Sequence, residues 1–466
     1  MARQSQAKET VSNRRRRSEA RGKPRLRRID AERHSLALIL NLVRSAQART
    51  RHDLEQLSGL GRAVVTDRLA TLLRLGLVHE GELGPASGGR APRLVSFRAD
   101  AGLVLVAMLD RSTMGVGIAD LAGRLLFEHH EAVDLPADAE PPVKRLGTLF
   151  DWVLEQHGAE REVWGIGVAV PGPVSPQPVA QVGKTPSMPR DGEVVATELY
   201  ERYKAPVSLG TAYQMRTLGE WRAGSGAGAQ SLLFVDLGRE ISAGVVSGGR
   251  LLLGAQGAAG LIGHVSTGDD NQIICRCGNR GCLEVVAGAD ALVREARRAA
   301  EEGRSRLLAD LLAAGGVPSV ADIGLAAQRG DAFSAELLSR CGREIGTVLA
   351  TLTNAINPSV IVLGGEVAET GDIVLAAIRE AVYRRSHPLV TRDLSITRSQ
   401  LGNSAGLVGA ALTLVDGFFA ADFLNQWIAH GSPLQHPEIV GRVERKPAAA
   451  PALPPMAGAL RTAAGK

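Results

Sequence analysis

The first sustained hydrophobic rhythm starts after residue 30, where Leu36, Ile39, Leu40 and Val43 recur at spacings of three and four, the repeat of a helix with one buried face. A second helix is predicted from Thr50, which is placed to cap it. Asp53 stands at the third helical position in a near capping box, and Leu54 and Leu57 are expected to face inward. Ser58-Gly59-Leu60-Gly61 breaks the pattern, and a third helix then carries Val64, Val65, Leu69, Leu72 and Leu73. Helix, short glycine-containing turn and helix is the helix-turn-helix order. Residues 76–81 and 93–97 predict a two-stranded wing around the connection 84–92. The third helix offers Arg62, Ala63, Thr66, Asp67 and Arg68 on its exposed N-terminal side. Arginine pairs with the guanine edge, and threonine touches a thymine methyl. Arg51, Arg62, Thr66 and Arg68 are therefore candidate DNA contacts, with Arg90, set between glycines and Pro92, as a candidate minor-groove probe. The competing reading of such a unit is a protein-protein module.

Beyond Ala101 the pattern changes to short apolar runs punctuated by glycine. Residues 103–110, 116–121 and 124–128 predict successive strands, 143–156 a helix, and 164–174 a buried strand ending in a turn. The same order restarts at 232–238 and 244–251, which implies two αβ lobes. An amphipathic helix over 418–428 is expected to close the fold, and the Pro/Ala-rich sequence from Gly431 reads as a disordered tail. The expected divisions are a basic tail at 1–28, the winged head at 29–98, a first lobe at 99–205 completed by about 400–428, a second lobe at 206–399, and the tail at 431–466.

Charge sharpens the reading of the front end. Residues 1–28 hold eleven Lys/Arg against Glu9 and Glu19, an excess of nine; the whole chain carries +5, so the remaining residues sum to −4. The pI of 9.2 thus describes a tail, expected to be disordered and to attract phosphates in a salt-dependent way without reading bases. Aromatic residues make up only 3%, too few for broad single-strand binding by base stacking. No apolar run approaches the ~18 residues of a membrane span, and no secretory signal core follows the basic start, so a cytoplasmic, nucleoid-associated protein is expected.

Three of the four cysteines crowd into Cys275, Cys277 and Cys282, a spacing too tight for a disulfide framework and suited to metal. Cys341 lies in an Ala/Leu-rich helical stretch and reads as a core residue. The run Gly260-Leu-Ile-Gly-His264 followed by Cys275-Arg-Cys-Gly-Asn-Arg-Gly-Cys-Leu-Glu284 resembles the signature of the ROK family, which contains sugar-responsive repressors and sugar kinases. Val170-Pro-Gly-Pro-Val, Leu218-Gly-Glu-Trp, Asn357-Pro-Ser-Val-Ile-Val-Leu-Gly-Gly and Ala405-Gly-Leu-Val-Gly-Ala support it. The winged front with its Gly-Gly-Arg-Ala-Pro loop resembles the repressor branch.

The resemblance implies a two-lobed actin-like ATPase (ribonuclease H-like) α/β body behind an N-terminal winged helix-turn-helix. It also implies that His264, Cys275, Cys277 and Cys282 hold a structural Zn2+, a closed Cys3His set that fixes a loop rather than activating water. His264 and Glu284 match the family positions that meet a small-molecule effector. The kinase positions depart. Counting back from Leu218-Gly219-Glu220, the catalytic Asp position is Ala212, and a missing general base costs about 10²–10⁴ in rate. The first phosphate loop reads Asp110-Arg-Ser-Thr-Met114, without its glycine. The second reads Gly238-Arg-Glu-Ile-Ser-Ala-Gly244, with Glu240 where phosphate would lie, Ser242 adding bulk, and Arg239 partly offsetting the charge. No catalytic residue is assigned. Leu261 replaces a sugar-binding Glu, which leaves three readings of the effector site: a more apolar ligand, a vestigial pocket, or an ordinary sugar. The expected function is a transcriptional repressor that binds double-stranded operator DNA as a homodimer or homotetramer. The alternatives are an ATP-dependent sugar kinase with an appended head and a scaffold that senses a partner protein.

Overall fold

The computed structural model describes residues 34–84, 91–133, 142–157, 162–172, 190–268 and 273–435. The basic tail, Arg90 and the sequence beyond 435 lie outside the described residues.

The head opens with α1 (His34–Arg44), α2 (Arg51–Ser58) and α3 (Arg62–Arg74). The capping box of α2 is complete: the Asp53 backbone N–H donates to the Thr50 hydroxyl (3.1 Å), and the Thr50 N–H donates to the Asp53 carboxylate (2.9 Å). Gly59, at φ +66°, ends the helix in the left-handed conformation that favours glycine. One expected inward position, Leu57, turns out exposed, and so does Val64 of the third helix. Leu57 is 55% exposed because α2 has only two turns and Leu54 alone reaches the core; Val64 is 39% exposed because its neighbour Val65 takes the inward face, roughly 100° away on the helix. The wing is β1 (Val78–Leu83) paired antiparallel with β2 (Arg93–Phe97), Val78 opposite Phe97.

Each lobe is a five-stranded sheet. The first holds β3 (Leu103–Leu109), β4 (Thr113–Asp120), β5 (Leu125–Ala132), β6 (Val163–Val170) and β7 (Val207–Thr211) in the order β5-β4-β3-β6-β7. The second holds β8 (Ser231–Leu237), β9 (Ile241–Ser247), β10 (Arg250–Leu251), β11 (Val360–Gly364) and β12 (Ser395–Arg398) in the order β10-β9-β8-β11-β12. In both, an antiparallel meander is followed by two parallel strands, so one topology is used twice. The run 244–251 is folded into a hairpin at Gly248 and Gly249, whose φ of +58° and +70° make a tight turn. β3 and β6 are buried on both faces, which is why they read as unbroken apolar runs.

The Ser404–Phe418 helix packs on the first sheet so closely that a Cβ on Gly167 would lie 2.8 Å from the Ala410 carbonyl. The expected closing helix is broken. The Ser404–Phe418 helix ends, and Ala421–Trp427 turns away by 66°, which brings Phe418, Phe419, Phe423 and Trp427 into one core with Trp164. Residues 432–435 also depart from the expected tail: Ser432 donates to Glu162 (3.3 Å), Pro433 is buried and Leu434 packs on the first lobe. Their Pro-rich setting hides this short apolar contact in the sequence.

Head and first lobe share one continuous hydrophobic cluster, from Leu36 through Val95 and Ala410 to Trp427. Phe97 of the wing meets Phe419 edge to face at 5.8 Å, and the Arg44 guanidinium lies over the Phe419 ring at 5.6 Å. No single helix among the described residues is long and apolar enough to cross a membrane.

Candidate functional site: a cysteine-histidine loop beside the interlobe cleft

Two short antiparallel bridges, Ser266 with Cys282 and Ile274 with Arg280, fold the segment after β10 back on itself. The Cys275 N–H donates to the Asn279 carbonyl (2.7 Å) and the Gly278 N–H to the Cys275 carbonyl (2.9 Å). Gly278 (φ +88°) and Gly281 (φ +65°) supply turns that side chains resist. The result gathers the ligating atoms of His264, Cys275, Cys277 and Cys282 within 4.8 Å of one another. The Cys277 and Cys282 sulfurs are 3.6 Å apart, and the Cys275 sulfur lies 3.5 Å from His264 Nδ1. A tetrahedral zinc with Zn–S of about 2.3 Å and Zn–N of about 2.0–2.1 Å has S···S and S···N edges of about 3.8 and 3.6 Å, so the donor set fits a closed four-coordinate ion.

The thiols differ. A backbone hydrogen bond from Asn279 holds the exposed Cys277 thiol below its ordinary value, while burial pushes the Cys282 thiol up to about 12. Cys341 is a core residue as expected, its thiol also pushed up to about 12 by burial and donating to the Ala287 carbonyl (3.3 Å).

The loop is wired to the cleft by a residue that sequence reasoning missed. Arg276, between two of the thiols, donates to Glu240 (2.7 Å) and lies 3.2 Å from Glu284. Glu240 also pairs with Arg111 of the first lobe at 3.3 Å. Glu284 accepts from the Ile241 N–H (3.3 Å); burial pushes its carboxyl above the usual range, against the pull of Arg276. His264 and Glu284, the two expected effector contacts, therefore flank the same loop. Leu261 is partly exposed beside them, and Ala212 is buried at the start of the Ala212–Ala223 helix.

A second cross-link lies deeper. Arg216 of that helix donates to Asp110 (2.7 Å) and to Asp236. Burial works against its charge, yet the two carboxylates hold its pKa above the ordinary arginine value. The signal for it was available, since Arg216 stands inside the very segment counted back to Ala212.

On the head, Arg62 and Thr66 share the exposed face of α3. Arg68 is half-buried and occupied: it donates to the Ser35 hydroxyl of α1 (3.0 Å) and to Asp67 (2.8 Å). Arg51 is tied to Glu80 of the wing (2.7 Å). Among the five expected DNA contacts, Arg62 and Thr66 present free faces to solvent, Arg68 and Arg51 make internal contacts, and Arg90 lies outside the described residues.

A winged helix-turn-helix docked on a two-lobed actin-like body, with a Cys3His loop at its cleft, defines a class of regulators built on kinase architecture. The chain belongs to the ROK family, whose pattern matches residues 114–416. It is 25% identical over 379 residues to the DNA-binding transcriptional dual regulator NagC of Escherichia coli K12, covering 81% of this chain and 91% of that one. It is 25% identical over 383 residues to the xylose repressor of Caldicellulosiruptor bescii, covering 81% and 94%. A glucokinase of Halalkalibacterium halodurans is 34% identical over 212 residues, but this matches 46% of this chain and only 64% of the glucokinase. Among solved structures, a ROK family transcriptional regulator described as a homologue of the E. coli Mlc protein superposes with a TM-score of 0.71 at 23% identity, covering 86% of this chain and 99% of the other, and supports the fold. A ROK glucokinase from Streptomyces griseus, in complex with glucose and AMPPNP, gives 0.56 at 28% identity and covers 66% and 98%.

Proposed function

We propose that this chain is a DNA-binding transcriptional repressor whose kinase-like body is a sensor rather than an enzyme. The observation that carries the reading is the exposed Arg62–Thr66 face of α3 on a head that shares its core with the body. Alignments covering more than nine-tenths of two regulators, against 64% of a glucokinase, support it. Two heads of a homodimer or homotetramer would read half-sites one helical turn, or a multiple of it, apart on operator DNA. The work is done in the cytoplasm, on the nucleoid.

His264, Cys275, Cys277 and Cys282 would hold one structural Zn2+ per chain, and zinc when bound locks the loop that carries Arg276. Arg276 then holds Glu240 and Glu284 at the cleft. A small-molecule effector, a sugar or a more apolar compound, meets His264 and Glu284 beside Leu261. Phosphotransfer is disfavoured on two grounds. Ala212 offers no general base, and the Glu240 carboxylate, fixed by Arg111 and Arg276, repels a phosphate in the second loop.

Fluorescence anisotropy with DNA from upstream of its own gene tests the reading. Binding is expected to fall steeply with salt, and Arg62→Ala to weaken it by about 1–3 kcal/mol. No salt-dependent binding, with Arg62→Ala and Arg90→Ala indistinguishable from the parent, would sink the DNA-binding reading. Hexose-dependent ADP release that disappears in His264→Ala would establish the kinase instead.

A further inference from the structure

One helix carries two arginines, each shared between distant parts of the molecule. Arg216, midway along Ala212–Ala223, has a side chain only 8% exposed and joins Asp110, which follows β3 of the first lobe, to Asp236 of β8 in the second. Near the end of the same helix, Arg222 donates to one oxygen of Asp416 (3.1 Å), and the other oxygen of Asp416 is taken by Arg44, the last residue of α1 in the head. The two arginines are six positions apart on the helix, a rise of about 9 Å.

Nothing soft lies between these ends. A Cβ on Gly219 would fall 2.1 Å from the Ala405 carbonyl, and one on Gly409 would fall 1.8 Å from the Met215 carbonyl. The Ala212–Ala223 and Ser404–Phe418 helices thus touch backbone to backbone and must move together. Glu220 adds a clamp toward the second lobe: buried, it accepts from the Ser399 hydroxyl (2.6 Å) and the Leu401 N–H (2.8 Å).

We propose that the Ala212–Ala223 helix is a strut between the cleft and the DNA-reading head. Arg216 senses the separation of the lobes, because a guanidinium holds both Asp110 and Asp236 only while the lobes are at one distance. Arg222 passes the resulting displacement through Asp416 to Arg44. The inference goes beyond DNA recognition, and its test requires neither operator nor effector, so it stands or falls separately from the repressor reading.

Hydrogen–deuterium exchange on the full-length protein provides that test, read by mass spectrometry at α1, at β3 and β8, and at the Ala332–Ile356 helix as a remote control. Arg216→Met should speed exchange about tenfold in β3, β8 and α1, while the control helix stays as in the parent. Asp416→Asn should speed α1 alone. Arg216→Met/Asp416→Asn should exchange in α1 no faster than Asp416→Asn, since both changes cut one line. Arg216→Lys, which keeps the charge but reaches a single carboxylate, covers the case in which the methionine variant does not fold and should show the same pattern more weakly. Acceleration confined to the cleft, equal acceleration in the control helix, or additive effects in α1 would each overturn the strut.

Discussion

At the scale of single residues, the most exposed prediction concerns Cys282. With its thiol pushed up to about 12 by burial, the metal-free protein holds that proton at neutral pH. Metal binding must therefore release it, and affinity falls as pH falls. Elemental analysis of the purified chain is expected to find one zinc per chain, and Cys282→Ser to abolish it. Asp53 gives a second pH statement of defined sign. Partial burial raises its carboxyl, but donation from the Arg49 and Thr50 backbone N–H groups and the Thr50 side chain holds it below the ordinary aspartate value. A depressed carboxylate stabilises at neutral pH, and the contribution disappears as pH falls through that lowered value. Thr50→Ala, which removes the reciprocal cap, is expected to cost about 1 kcal/mol in urea unfolding at pH 7. The clustering of Cys275, Cys277 and Cys282 was legible because three thiols so closely spaced along a chain suit a soft metal ion better than a disulfide framework, and His264 joined them through the family resemblance. Arg276 was not, because an arginine in sequence reads as a solvated charge; Arg216 was marked only by its place in the segment counted back to Ala212, and the fold alone shows which carboxylates surround it.

At the scale of elements, the third helix divides its own cations. Arg62 faces outward, whereas Arg68 fastens α3 to α1 through Ser35. Arg62→Ala should therefore relax base preference at one position, whereas Arg68→Ala should lower the melting temperature that head and first lobe share and weaken all DNA sequences alike; anisotropy on a panel of operator variants separates the two. The three head helices, the Val143–His157 helix and the buried strands β3, β6 and β8 were legible because period and apolar runs suffice for them. The hairpin at Gly248 and Gly249 was hidden by the β-branched residues before it. The break before Ala421–Trp427 was hidden because its two arms bury the same aromatic side chains that a single helix would.

At the scale of the molecule, the sequence divides into a head and two lobes, while packing divides it elsewhere. Phe418, Phe419 and Trp427 are fully buried in a cluster that also contains Leu36, Leu69 and Val95 of the head. Trp427→Ala, although more than 300 residues from the head, is expected to destabilise head and first lobe together by about 3–5 kcal/mol. Calorimetry should show one transition moving for both rather than two. The division was illegible because long-range contacts leave no period in the chain. The shared core also imposes an order on synthesis. Phe97 leaves the ribosome about 320 residues before Phe419, its edge-to-face partner, so at ~5–20 residues per second the head waits on the order of half a minute for its second wall. A chain that terminates before Phe418, Phe419 and Trp427 lacks one wall of the core that the head shares with the body.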